Sequence, residues 1–271
     1  MASAKELRLG LLLCWAIAAA AWSASAAVGQ DFRVDSEVFL VGHEKEPIQE
    51  TLTIFSEGKV YDFVLTEPCE ITILDAQKGS FTLLDESRRV KSEISTQDLM
   101  NYVLDLHAEA ARSENALFKF SASPAFEPTV EDIEENGQKL VRITLTGKPL
   151  IYSALGRNVE RPQAALAYRF FADWYARLNA TRPGNLPPEA RLELNKALAE
   201  RDLLPSEVTR TTISADLLPK KVEVRSRHLV NWTLSGKDRE RIEEAGTQMV
   251  NFQAVSFKEY RAPNKALVKA K

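Results

Sequence analysis

Apolar and polar residues alternate with a period of two through much of the N-terminal half. The alternation runs through Leu52-Thr53-Ile54, Tyr61-Asp62-Phe63-Val64-Leu65, Ile71-Thr72-Ile73 and Phe81-Thr82-Leu83, and Val90 and Ile94 keep one phase of a further segment. Such spacing places Tyr61, Phe63 and Leu65 on one face of a strand, and Ile71 and Ile73 together on the next. The connecting segments are rich in turn formers: Ser56-Glu57-Gly58-Lys59, Asp75 to Ser80, and Asp85 to Arg88. Links this short join antiparallel neighbours. Residues 36–95 therefore predict a β-meander.

The period then lengthens. Ser95-Thr96-Gln97-Asp98 reads as a capped helix start, and Leu99, Val103, Leu106 and Ala110 follow at helical spacing, predicting a helix to about Arg112. Ala116 to Phe120 is expected as a short strand. Leu140–Leu145 and Pro149–Ala154 predict two strands joined near Thr146-Gly147-Lys148. Pro162 opens a second helix, with Ala167, Phe170, Phe171, Trp174 and Leu178 forming a wide apolar stripe. Pro187-Pro188-Glu189 begins a third, so the two form a helical hairpin. Val208–Ile213 and Val222–Leu234 return to strand, Arg239–Ala245 to helix, and Val250–Tyr260 is expected as a closing strand. The fold class is α+β. An N-terminal antiparallel meander has one apolar face to cover, helices 98–112 and 162–180 pack on that face, and the C-terminal half is mixed.

Composition narrows the class. The chain has 271 residues, 45% hydrophobic and 27% charged, which excludes intrinsic disorder. With 35 basic and 38 acidic residues it lacks the electrostatic footprint of a nucleic-acid binder. The first 27 residues change the picture. Lys5 and Arg8 precede the uncharged run Leu9–Ala21, which ends in Ala24-Ser25-Ala26-Ala27. That pattern describes a secretory signal peptide cleaved after Ala26 or Ala27, so the chain is expected to be exported to the periplasm or cell surface, with no transmembrane segment after cleavage. Leu12-Leu13 ahead of Cys14 do not match a lipidation site, so Cys14 leaves with the leader. Cys69 remains, beside the apolar run Ile71–Leu74, and reads as a buried inert thiol. A composition shift near Arg157–Gln163 divides the rest. Residues 28–156 form a sheet region with one helix, and 157–260 carry the helical hairpin plus strands on the same core. Residues 261–271 form a basic tail with Lys265, Lys269 and Lys271.

Motifs for catalysis are sparse. His43, His107 and His228 lie far apart and lack zinc-protease spacing. Neither a Gly-x-Ser-x-Gly elbow nor a glycine-rich phosphate loop occurs. Ser56-x-x-Lys59 sits in a hairpin turn, where its residues are ordinary turn formers. The acidic run Glu127–Gly137 reads as a solvated loop, with calcium binding the alternative, although it lacks the usual ligand spacing. No catalytic residue, metal or cofactor is therefore assigned. The remaining candidate site is a ligand space between sheet and helices, where Tyr61, Phe63, Ile71, Ile73, Phe81, Trp174 and Tyr175 would meet. Read as a site and not as a filled core, these residues lead to the expectation of an exported non-enzymatic binding or carrier protein for an apolar ligand or lipid. The alternatives are a structural or assembly protein of the envelope, partnered by another envelope protein, or an enzyme with dispersed catalytic residues.

Two stretches carry a family resemblance. Leu52-Thr53-Ile54-Phe55-Ser56-Glu57-Gly58-Lys59-Val60-Tyr61-Asp62-Phe63, followed by Glu70-Ile71-Thr72-Ile73-Leu74-Asp75, resembles the hairpins of outer-membrane lipoprotein carriers. The resemblance, over residues 52–95, implies a curved antiparallel half-barrel closed by helices around acyl chains, and it carries over no particular binding residue. Tyr168–Asn179 and Leu234–Arg239 resemble a group of exported bacterial proteins such as those of planctomycetes.

Overall fold

The computed structural model describes residues 31–135, 137–159, 161–214 and 220–262. The segment expected as a leader, with Cys14, and the basic residues Lys265, Lys269 and Lys271 lie outside the described residues. A first run of strands comprises β1 (Phe32–Leu40), β2 (Gln49–Ser56), β3 (Lys59–Val64), β4 (Glu70–Asp75), β5 (Ser80–Asp85) and β6 (Val90–Ser95). Helices α1 (Thr96–Arg112) and α2 (Ala116–Ala122) lead to β7 (Glu127–Glu135), β8 (Gln138–Thr146) and β9 (Leu150–Asn158). Helices α3 (Pro162–Ala180) and α4 (Glu189–Ala199) precede β10 (Leu203–Ile213) and β11 (Lys221–Asn231). The chain closes with α5 (Gly236–Asn251), β12 (Gln253–Ala254) and α6 (Phe257–Arg261).

Local chemistry explains most of these boundaries. Glu57 at φ 50° and Gly58 at φ 78° are both left-handed, as the tight two-residue β2–β3 hairpin requires. The Asp75 carboxylate accepts from the backbone N–H groups of Gln77 and Lys78, and Asp85 accepts from that of Arg88, so each acid closes its own turn. Ser95 caps α1 by accepting from Asp98 N–H, and Ser235 and Asp238 form a reciprocal capping box on α5.

Three segments depart from the sequence expectation. Ala116–Ala122 is a helix, with the Asn115 side chain accepting from Phe118 N–H; an apolar run this short does not reveal its period. The acidic stretch from Glu127 is an exposed edge strand, because an edge exposed on both faces requires no apolar alternation. Val250–Tyr260 is split between the end of α5, the two-residue β12 and α6, whose start Ser256 caps. The first strand also begins earlier than the meander read from the sequence, at Phe32.

All twelve strands form one open curved sheet in the order β12-β6-β5-β4-β3-β2-β1-β11-β10-β9-β8-β7. Every pairing is antiparallel except β12 with β6. The sheet is two consecutive meanders, β1–β6 and β7–β11, joined where β1 pairs with β11. Sheet pairing therefore runs unbroken through the composition shift near residue 157.

The inner face carries α1, α3 and α6 over the first meander, and α2 and α4 over the second. The outer face of β2–β5 is covered as well. Leu52, Ile54, Phe63, Ile71, Ile73 and Leu84 pack there against Leu234 and, through Ala245, Ile242 and Met249, against α5. Four consecutive residues of β4 and of β5 are buried for this reason.

Candidate functional site

The two inner cores, one per meander, do not touch at the seam. Between them lies a cavity of about 720 Å³. Its floor comes from the inner phase of strands that carry short side chains at the seam: Ser36 and Val38 on β1, Thr51 and Thr53 on β2, Ser226 on β11, and Val208 on β10. Its roof is the face of α3 that presents Tyr168, Phe171, Ala172, Tyr175 and Ala176, continued by Pro187, Pro188 and Arg191 at the start of α4. Short side chains on the sheet below the α3–α4 hairpin leave the space open.

At the β10–β11 end the lining is basic and hydroxylated. His228 faces Ser36 across the β1–β11 pair. Its Nδ1 lies 2.8 Å from Ser36 Oγ and its Nε2 lies 2.9 Å from Ser226 Oγ. Burial first, and then the Arg191 guanidinium, push its pKa down to about 3, so the ring is neutral. Ser226 Oγ also lies 3.3 Å from the Val208 carbonyl, so the neutral ring is held between two serine hydroxyls anchored on adjacent strands. Arg191 donates through Nε to Asn195 Oδ1 at 3.0 Å, and Asn195 Nδ2 donates to Asp173 Oδ1 at 2.9 Å. Arg191 and Arg210 both line the cavity, and among the described residues neither has a carboxylate within 4.0 Å.

At the β3–β4 end the lining is acidic and partly paired. Asp62 is 3% exposed and accepts from Thr53 Oγ1 at 2.6 Å through Oδ1. The Tyr175 hydroxyl approaches the same carboxyl and favours its charged form. It does not close a hydrogen bond to Oδ2, which is buried without a partner among the described residues. Burial dominates and raises the Asp62 pKa to about 6. Burial, and next the neighbouring Asp62 charge, hold the Tyr175 hydroxyl well above its ordinary value, so it stays protonated. Beside them Arg182 Nη2 donates to Glu70 Oε1 at 2.6 Å, and Arg261 Nη1 lies 3.7 Å from Glu70 Oε2.

The residues nominated from the sequence are distributed over three places. Tyr175 lines the cavity. Phe81 is fully buried in the first inner core, and Trp174 packs against that core with the Arg177 guanidinium 4.9 Å above its ring. Tyr61, Phe63, Ile71 and Ile73 lie together, but on the outer face against α5. Alternation grouped these four correctly; it could not tell which face holds the cavity, because both faces of β3 and β4 are covered. The opposite phase, Asp62, Val64 and Glu70, faces the cavity. The signal for it was a charged residue set between Val60 and Val64 on an otherwise apolar phase. Cys69 is half-buried at the cavity's edge instead of in a core. Phe170 turns outward, whereas Phe171 is buried.

Other candidates lie elsewhere. His107 Nε2 is 2.6 Å from Glu189 Oε1 at the junction of α1 and α4, away from the cavity lining. Among the described residues, no group of three or more His, Cys, Asp or Glu side chains is placed to hold a metal. Also among the described residues, no helix is long and apolar enough to cross a membrane.

No protein-family model matches the chain, and no curated protein matches its sequence. Among solved structures, PNGF-II in a C2 space group aligns with 10% identity and a TM-score of 0.37, over 89% of this chain and 32% of the other. The chain thus spans about a third of that structure's length.

Proposed function

We propose that this chain is an exported, non-enzymatic binding or carrier protein of the bacterial cell envelope, which holds an amphipathic ligand with one anionic group in the seam cavity. The observation that carries this reading is the cavity itself. At about 720 Å³ it falls within the range of small-molecule sites. It also presents Arg191 and Arg210 without acidic partners among the described residues. An unpaired guanidinium over neutral serine and imidazole groups suits a carboxylate or phosphate. The aromatic roof of Tyr168, Phe171 and Tyr175 suits an apolar body. This lining narrows the apolar-ligand expectation to a ligand with a charged head.

Binding is favoured over catalysis by the state of His228. The imidazole touches two serines and no carboxylate among the described residues, and a nitrogen with a pKa of about 3 is too weakly basic to take a proton at neutral pH.

Isothermal titration with dodecanoate tests the reading. One molecule should bind per chain. Arg191→Ala should weaken it about 10- to 100-fold, the worth of a charge-assisted hydrogen bond. Absence of binding, or binding indifferent to Arg191→Ala, would overturn the assignment.

A further inference from the structure

We infer that the ligand of the seam cavity carries a second polar group, an O–H or N–H donor, which Asp62 Oδ2 accepts at the end opposite Arg191. The inference rests on the proposal that the cavity is a binding site, and it names the ligand's chemistry more closely. Asp62 lines the cavity, is 3% exposed, and has one oxygen satisfied by Thr53 and one with no partner among the described residues. A buried acceptor without a donor costs about 1–3 kcal/mol, so native proteins rarely keep one unless something completes it. Among the described residues the Tyr175 hydroxyl approaches this carboxyl, and a ligand donor would take the place beside Oδ2 that the tyrosine leaves open. The Arg182 guanidinium donates to Glu70, and the Tyr175 hydroxyl stands outside hydrogen-bonding geometry with Oδ2.

Sheet register sets the spacing of the two anchors. Asp62 pairs with Thr53, Thr53 with Val34, and Val34 with Val230. Three strand spacings across the sheet are about 14 Å, and His228 lies two residues, about 7 Å, along β11 from Val230. Arg191 and His228 both line the cavity. The backbones of Asp62 and His228 are therefore about 16 Å apart if the sheet were flat, and closer across its curve. A ligand that meets both has an acid at one end, a donor at the other and an apolar chain between them beneath the α3 aromatics.

Three probes of equal chain length separate the possibilities at pH 8: dodecanoate, 12-hydroxydodecanoate and 12-aminododecanoate. The inference requires that at least one ω-substituted probe bind tenfold or more tightly than dodecanoate. A gain from the hydroxyl alone identifies a neutral donor, and a gain from the amine identifies a cation. In Asp62→Leu the gain should vanish for both. In Asp62→Asn, which puts a donor where Oδ2 was, it should vanish for the ammonium, which can only donate. Circular dichroism of each variant confirms that it is folded. If all three probes bind alike, or if the ammonium's advantage survives Asp62→Asn, the inference is wrong while the cavity assignment stands. If dodecanoate itself fails to bind, the cavity assignment falls first.

Discussion

Asp62 is the residue where stability and binding pull in opposite directions. Its carboxyl is more acidic in the unfolded chain than in the fold, where burial raises the pKa from 3.8 to about 6. The folded chain therefore holds the proton more tightly between those values. The linkage sign follows: the stabilising contribution is fully present below pH 3.8 and is lost as pH rises through 6, which costs about 3 kcal/mol at neutral pH. Asp62→Asn keeps the shape and can keep the Thr53 hydrogen bond. The variant should be more stable than the parent at pH 8 by about 1–3 kcal/mol, and the difference should disappear near pH 4. Urea denaturation at the two pH values checks this, and a variant equally or less stable at pH 8 would show that the carboxylate is not strained. A group that destabilises the empty protein while facing a cavity is characteristic of a binding residue.

At the scale of elements, the site depends on how closely α4 and β10 seat against β9. Gly156 on the inner phase of β9 makes that approach possible. A Cβ there would lie 2.8 Å from Leu203 Cδ1, 2.9 Å from Leu203 Cβ and 3.2 Å from Leu198 Cδ2. Gly156→Ala should therefore lower stability by about 1–3 kcal/mol through overpacking, measured by thermal or urea unfolding. It should also weaken dodecanoate binding, because α4 carries Arg191. An unchanged unfolding midpoint would show that the β10 backbone at Leu203 shifts to make room without cost. A second junction fixes α5 on the outer face. Asp238 is 1% exposed, accepts from Ser235 and lies 2.8 Å from Arg33 Nη1 on β1. One carboxylate thus both caps its helix and ties it to the sheet. Burial alone would raise its pKa, but the Ser235 hydrogen bonds and Arg33 outweigh it and hold the carboxyl below its ordinary value.

For the whole molecule, the pairing of β1 with β11 is the decisive contact. It joins the two meanders, creates the seam and places Ser36 opposite His228. A fragment of residues 31–156 lacks β10, β11, α3 and α4, leaving β1 and β9 as open edges and only α1 and α2 over the inner cores. It should show no cooperative urea transition, whereas the described chain should unfold in one step. A fragment that unfolded cooperatively would establish two independent domains. The sheet's natural free edge is protected differently. β7 carries Glu127, Glu131, Asp132, Glu134 and Glu135, all exposed, and like charges along an edge oppose pairing with a second copy.

What the sequence determined by itself was local. Alternation, turn residues and caps specified the β2–β6 meander, the β8–β9 hairpin, the starts of α1, α3 and α5, and the grouping of Tyr61 with Phe63, because each follows from interactions within a few residues. What only the tertiary structure decided was which face of that meander looks into the cavity, and where the cavity lies. The β1–β11 pairing joins residues about 190 positions apart, and no local pattern encodes it. The burial of both faces of β3 and β4 likewise removed the contrast by which alternation distinguishes inside from outside. The cavity's most informative groups, Asp62, Arg191 and His228, are polar residues that only this long-range pairing and the α3–α4 roof bring into one space.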